Sequence, residues 1–155
     1  GDTPLSRLNI GHNGDISFYE DTGTTPKFFW DASAESLGIR TVSPRAVLDL
    51  EGNVALDTDT ATLTTTSQTS IATFAVATFD AAKVVITANN GTDTYITELL
   101  VAHDGTTAVA TEYGQLSTDT FTVAYDVDIS GGNVRILATP PAVTSTTFKV
   151  IKTLM

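Results

Sequence analysis

The chain has 155 residues, no cysteine and a formal net charge of −10. That length suits one domain, or one domain with a smaller appendage, and needs neither a disulfide nor a metal for stability. The lack of cysteine excludes a disulfide scaffold, a thiolate zinc site and a cysteine nucleophile. The acidic balance disfavours nucleic acid and anionic membrane surfaces as partners, and no stretch is apolar enough for membrane insertion.

Residue usage points to strands. Thr (29), Val (13) and Ile (9) make up 51 of the 155 residues, and β-branched side chains fit a pleated sheet better than a helix. Charged residues are only 17% of the chain, against roughly 25% in a typical soluble domain. The composition therefore predicts an all-β protein with threonine-rich solvated faces. It suits extracellular or virion fibres, and assemblies that hide surface between subunits.

Residues 1–56 contain short apolar runs separated by turn residues, and each run predicts a strand of three to five residues. The runs are Leu8–Ile10, Ile16–Tyr19, Phe28–Trp30, Leu37–Ile39, Val47–Leu50 and Val54–Leu56. Strands this short cannot enclose a core within one chain. We therefore expect a shaft-like segment completed by copies of itself, with Leu8, Ile16, Phe18 or Leu50 of three chains meeting on a three-fold axis.

Residues 57–155 carry longer strand patterns. The spacing of turn residues changes near residues 57–60, where we expect a linker. Asn90-Gly91 and Asp104-Gly105 lie between apolar runs and favour hairpin turns. Strands are predicted over 60–66, 70–79, 83–88, 94–103, 106–113, 121–129, 134–139 and 145–153. This spacing predicts an antiparallel β-sandwich, jelly-roll-like, with no helix of three turns anywhere.

The candidate catalytic and metal-binding residues are better explained as structural. His103-Asp104 lies at a predicted hairpin turn, where adjacent side chains point apart and cannot complete a triad. Asp126 and Asp128 match the first half of a calcium loop, but Leu137 stands where the bidentate Glu is needed. Asp57 and Asp59 have a weaker claim to a cation. We expect no catalytic residue, no metal and no cofactor.

Two other groups of side chains admit a binding role. Glu20, Asp21 and Glu35 could supply a carboxylate pair for glycoside hydrolysis, but solvated turn charge is the better interpretation. Phe28–Trp30 could form a sugar platform, although burial of these aromatic rings is favoured.

Several stretches resemble bacteriophage proteins. Gly14–Gly23 and Lys27–Ile39 look like a repeat unit of tail-fibre and virion structural proteins. Leu37–Pro44, followed by Val47–Val54, is similar to a fibre-shaft pattern that has a second glycine where this chain has Arg40. Asn133–Pro140 and Thr147–Leu154 resemble the terminal β domain of structural proteins from marine T4-like phages.

The resemblance implies a homotrimer located in the virion and made in the host cytoplasm. It implies a shaft end over 1–56 and a β-sandwich tip domain over 57–155. Other virion proteins, and a host surface glycan or outer-membrane protein, are the implied partners, and no catalytic residue carries over. Gly1 is not an initiator methionine, so we expect a longer protein.

The predicted function is structural, with host attachment through the tip. One alternative is a head fibre, decoration or collar protein without a receptor. Others are a carbohydrate-binding module of a secreted enzyme and, with less support, a polysaccharide depolymerase. Receptor contact is predicted on hairpin tips, because loops carry recognition while a rigid scaffold positions them. The candidate residues are Asn89, Asn90, Thr92, His103, Asp104, Tyr113, Ser130 and Asn133.

Overall fold

The computed structural model describes residues 5–155, and the start of the chain at Gly1 lies outside the described residues. This part of the chain forms thirteen β-strands and no helix, so it also holds no helix that is long and apolar enough to cross a membrane. The all-β prediction is confirmed. The strands are β1 (Leu8–Ile10), β2 (Ile16–Tyr19), β3 (Pro26–Asp31), β4 (Ser36–Ile39), β5 (Leu48–Leu50), β6 (Val54–Leu63), β7 (Thr69–Ala75), β8 (Ala81–Asn89), β9 (Thr94–His103), β10 (Ala108–Ser117), β11 (Ala124–Ser130), β12 (Asn133–Thr139) and β13 (Thr146–Leu154).

The chain divides into two compact units, Gly1–Asp57 and Thr58–Met155. In the first unit, β1 to β5 and the start of β6 lie side by side in chain order. Neighbours pair in antiparallel fashion except β4 and β5, which are parallel. Short turns join most neighbours, whereas the parallel pair needs the longer loop over 40–47.

The second unit is built from two sheets. The strands of the larger follow the order β6-β13-β8-β9-β10, and those of the smaller the order β11-β12-β7. Inward side chains alternate with period two along β8, β9 and β13, as a sheet with one buried face requires. The resulting core is aliphatic with a few aromatic rings. Its fully enclosed members include Val84, Ile86, Leu99, Val134, Ile136, Phe148, Val150 and Leu154.

The predicted linker region coincides with the boundary between the two units, at Asp57 and Thr58, but a strand runs through it. β6 is a continuous strand from Val54 to Leu63 and passes through residues 57–60. Asp57, Thr58, Asp59 and Thr60 alternate in exposure along it, so polar residues there occupy a strand rather than a break. The predicted strand over 70–79 ends at Ala75, and a turn follows.

Candidate functional site

One face of the first unit is apolar and uncovered within the chain. Each of its six strands contributes one pair of apolar residues at i and i+2, and strand pairing aligns these pairs in two rows. The first row is Leu8, Phe18, Phe28, Ile39, Leu50 and Val54. The second row is Ile10, Ile16, Trp30, Leu37, Leu48 and Leu56. We call these twelve residues the apolar face.

None of the twelve side chains is buried in the chain. Ile10 is 67% exposed, and Phe18 and Phe28 remain exposed although their rings meet edge to face with centroids 5.2 Å apart. The sequence analysis singled out Leu8, Ile16, Phe18 and Leu50, and the register brings all four onto this face. A contiguous apolar surface of this kind marks an interaction site on a soluble protein.

The sequence analysis missed much of the apolar face. It favoured burial for Phe28–Trp30, whereas Phe28 and Trp30 lie on the apolar face and Phe29 lies on the opposite side of β3. The available signal was the i, i+2 spacing of apolar residues within each short run. Period-two alternation identifies one face of a strand even when the strand has only three residues.

The opposite side of the same sheet is held by a buried carboxylate. Asp49 is fully enclosed and accepts hydrogen bonds from the Arg45 side chain and from the backbone N–H groups of Arg45 and Gly52. Burial raises the pKa of the Asp49 carboxyl, but the hydrogen bonds and charge of Arg45 outweigh this effect and hold the pKa below its usual range. Asp49 thus anchors the 40–47 loop to β5.

Gly38 within β4 and Arg40 directly after it occupy the two glycine positions of the fibre-shaft pattern. Gly38 lies so close to the carbonyl oxygen of Thr41 that an added Cβ would come within 2.3 Å of it. Arg40 has φ of 64°, in the left-handed region that favours glycine. The chain keeps the left-handed turn without the second glycine, and the Arg40 guanidinium pairs with Glu51 at 3.1 Å.

The turn between β8 and β9 is stabilised by hydrogen bonds from its own side chains. Asn90 Oδ1 accepts hydrogen bonds from the backbone N–H groups of Thr92 and Asp93, at 2.9 and 2.7 Å. Asn89 donates to Thr94 Oγ1 and accepts from the Gly91 N–H. Of the predicted receptor residues here, only Thr92 has a side chain that makes no hydrogen bond within residues 5–155.

The turn between β9 and β10 is held in the same way. His103 Nε2 lies 2.7 Å from the carbonyl oxygen of Phe79, and His103 Nδ1 accepts from the Gly105 N–H at 3.0 Å. Asp104 Oδ1 accepts from the Thr106 hydroxyl and from the N–H groups of Thr106 and Thr107. These bonds lower the pKa of Asp104 to about 2, which suits a fixed turn carboxylate rather than a proton carrier.

Three predicted receptor residues lie elsewhere in the second unit. Ser130 and Asn133 flank the turn between β11 and β12, where Asn133 donates to the Gly131 carbonyl. Tyr113 lies on β10 opposite Glu98 of β9. Glu98 forms an ion pair with Lys83 at 3.0 Å.

The predicted tips do not form one cluster. The turn after β8 and the turn after β9 lie at opposite ends of β9, a strand of ten residues. At about 3.3 Å per residue, the two turns are about 30 Å apart. Receptor contact at any one of these tips stays a prediction, but a single small ligand cannot bridge them.

Two of the acidic candidates, Asp128 and Glu20, are occupied by protein partners. Arg135 forms a two-pronged ion pair with Asp128 across β11 and β12, which lowers the pKa of Asp128. Glu20 Oε1 accepts from Thr22, Thr24 and Thr25 in one turn, and these bonds lower the pKa of Glu20 to about 2. Across residues 5–155, no three carboxylate or imidazole groups lie close enough to hold a metal ion.

Comparisons with known proteins return structural neighbours only. No protein-family model matches the chain, and no curated protein matches it. The chain is similar to the Acinetobacter baumannii phage AM24 tailspike protein, with 12% identity, a TM-score of 0.41, and coverage of 67% of this chain and 26% of that chain. It is also similar to the Acinetobacter phage vB_ApiP_P1 tailspike protein, with 15% identity, a TM-score of 0.37, and coverage of 64% of this chain and 21% of that chain. The chain thus spans 26% and 21% of the length of these two tailspike proteins.

Proposed function

We propose that this chain is a structural part of a bacteriophage appendage of the tail-fibre or tailspike type, and that it works as a homotrimer. The observation that carries the proposal is the apolar face: twelve apolar side chains in two rows, none of them buried in the chain. The resemblance of residues 14–54 to fibre repeats and of the C-terminal strands to marine T4-like phage proteins supports it.

Electrostatics favours association through the apolar face. Each chain carries a net charge of −10, so copies repel one another wherever acidic surfaces approach. No residue of the apolar face is charged, and apolar area removed from water contributes roughly 25 cal/mol per Å². The apolar face is therefore a surface on which like-charged copies can associate at low electrostatic cost.

Three-fold symmetry accounts for the length of the strands. Strands of three to six residues leave the apolar face too small and flat to fold over on itself. Three copies around one axis enclose their apolar faces together and give each sheet edge a neighbour. Closed cyclic symmetry also prevents growth into open filaments.

The second unit supplies the candidate surface for host attachment. Its core side chains are buried within one chain, so its turns can vary without loss of the fold. We propose recognition of a host surface glycan or outer-membrane protein at one of its ends, without catalysis. The carboxylates of Glu20, Asp104 and Asp128 are held by protein hydrogen bonds that lower their pKa values. This supports a role without hydrolysis.

Light scattering of the full chain tests the assembly. We expect three times the monomer mass at micromolar concentration, and a monomer for Ile10→Glu, because three carboxylates would then meet in an apolar interface. Val143→Glu is the matched control, since Val143 is a 72% exposed residue outside the apolar face, and it should stay trimeric. A monomeric or dimeric parent chain would contradict the proposal.

Binding to an array of bacterial surface polysaccharides, and incubation with those that bind, tests attachment separately. Binding by the trimer without a change in polysaccharide size supports attachment. Cleavage that is lost on replacing one carboxylate would show a depolymerase. A trimer that binds neither polysaccharide nor bacterial cells would favour a decoration or collar role.

A further inference from the structure

A buried lysine lies in the core of the second unit. Along β13, the inward positions are Phe148, Val150, Lys152 and Leu154, and Lys152 is only 1% exposed. Its neighbour across the sheet is Val84 of β8. An ammonium group in such an apolar layer is costly unless specific partners compensate it. The alternation of β13 alone identifies Lys152 as an inward residue.

The lysine amine contacts groups from two other strands. Nζ donates to the carbonyl oxygen of Thr73 in β7 at 2.7 Å, and it lies 2.6 Å from Oδ2 of Asp59 in β6. Strand β6 is the direct neighbour of β13 in the larger sheet. The Thr73 carbonyl thus orients the amine, while the Asp59 carboxyl touches it.

The contact with Asp59 is close without being a well-formed hydrogen bond. Oδ2 is enclosed by protein and receives no hydrogen bond of good geometry within residues 5–155, although Nζ is at 2.6 Å. The Asp59 side chain as a whole is 35% exposed, so its solvent contact lies away from Oδ2. A buried ion pair offsets its desolvation cost only when the geometry is excellent, and here it is not.

We propose that Lys152 and Asp59 form an intramolecular isopeptide bond without an enzyme. Nζ gives up two protons, one before and one after its lone pair adds to Cγ. Both pass to the same carboxyl oxygen, whose bond to Cγ then breaks to release water. An ammonium and a carboxylate thereby become a neutral amide plus one water molecule. Charge and atoms balance, and neither an oxidant nor a co-reactant is needed.

The site favours the amide for two physical reasons. The fold holds the amine against the carboxyl, so the reaction is intramolecular. The effective concentration of the amine at the carboxyl is therefore very high, which accelerates amide formation. Conversion to an amide also removes two charges from a low-dielectric layer, where ions are poorly solvated. The exposed side of Asp59 gives the released water a path to solvent.

The bond would join the first and last strands of the second unit. Asp59 lies near the start of that unit, and Lys152 is three residues before the end of the described chain. Pulling on either end would then load the cross-link rather than the hydrogen bonds between β6 and β13. Chain unfolding could no longer separate these two strands.

Intact mass spectrometry of the purified full chain tests the proposal. We expect the parent chain to weigh one water molecule less than its sequence requires, and Lys152→Arg and Asp59→Ala to show their full masses. Protease digestion should yield one branched peptide that contains both Asp59 and Lys152. The parent measurement decides the question even if a variant fails to fold.

Succinimide formation at Asp104-Gly105 would also remove one water, so the site of the loss must be located. A succinimide is cleaved by hydroxylamine and persists in Lys152→Arg, whereas the isopeptide bond resists hydroxylamine and disappears in that variant. A parent chain at its full sequence mass would overturn the proposal. So would a water loss that maps to residue 104.

Discussion

Arg45 encloses Asp49: its Nε donates to Oδ2 at 2.7 Å while its own backbone N–H donates to the same oxygen at 3.0 Å. The Gly52 N–H and Arg45 Nη2 donate hydrogen bonds to the second carboxylate oxygen, Oδ1. We expect Asp49→Ala to destabilise the protein by about 3 kcal/mol, because it removes the acceptor of the Arg45 guanidinium and of two backbone N–H groups. Denaturant unfolding at fixed protein concentration measures the loss, and Glu51→Ala, which removes an exposed ion pair with Arg40, should cost under about 1 kcal/mol.

Acid should weaken the first unit through the same carboxylate. The pKa of Asp49 is lowered in the folded protein, so its stabilisation is fully present above the unfolded value of about 3.9 and is lost as pH falls through the folded value. The melting temperature should therefore fall steeply below about pH 4. Asp49→Asn should be less stable at neutral pH but show a flatter decline. Asp21→Asn, at an exposed position, should keep the parent slope; equal slopes for both variants would contradict this account.

Gly38 should tolerate no side chain. An alanine Cβ would lie 2.3 Å from the Thr41 carbonyl oxygen, so the 40–47 loop must shift, and we expect a cost of about 3 kcal/mol. Gly52→Ala is the matched control, because Gly52 has φ of 73° but open space around it. That variant should lose only about 1 kcal/mol of left-handed strain. Similar losses for both variants would show that the close approach does not matter.

Stability at position 40 should depend mainly on the conformational cost of a left-handed residue, and the exposed ion pair of Arg40 with Glu51 should add only a small amount. Because residue 40 has φ of 64°, we expect the stability of the protein to decrease in the order Gly, Arg, Ala, Val at this position. The span from Gly to Val should be about 2 kcal/mol, since β-branched residues are the least compatible with positive φ. Thermal unfolding of the four proteins gives the order. A valine variant as stable as the glycine variant would contradict the assigned turn.

His103 should exist as one neutral tautomer. The Phe79 carbonyl can only accept a hydrogen bond and the Gly105 N–H can only donate one, so the proton lies on Nε2. Nitrogen-15 NMR of the neutral ring should give a donor shift for Nε2 and an acceptor shift for Nδ1. His12, which is exposed and makes no side-chain hydrogen bond among residues 5–155, should show a tautomer mixture. An Nδ1–H signal for His103 would be inconsistent with the turn.

Strand positions were predictable where alternation was clean. The predicted ranges for β2 and β9 coincide with the observed ones because apolar residues at every second position face a core or an interface. The strand that runs through residue 57 was not predicted, because Asp57 and Asp59 are polar residues on the inward side of β6. The partner of Asp59 lies 93 positions later in the chain. No local pattern reveals such a partner.

The sequence indicates which side of each short strand is apolar, but not how these sides align across the sheet. The spacing of Leu8 with Ile10, and of Ile16 with Phe18, identifies one apolar side of each strand. Only the pairing register, including the parallel step from β4 to β5, aligns those sides into two rows. The hairpin tips were located correctly, but their separation by the length of β9 follows from topology, which the turn residues alone do not encode.

The order of the strands in the first unit also bears on how such proteins diverge. Every strand from β1 to β6 lies beside its neighbour in the chain and contributes the same two-residue unit to the same rows. Duplicating or deleting a hairpin would lengthen or shorten both rows without changing the register of the strands that remain. A one-residue insertion within a strand would instead turn its apolar pair to the wrong side. The length of the sheet can therefore change by whole hairpins with both apolar rows preserved, whereas a single-residue change within a strand disrupts them.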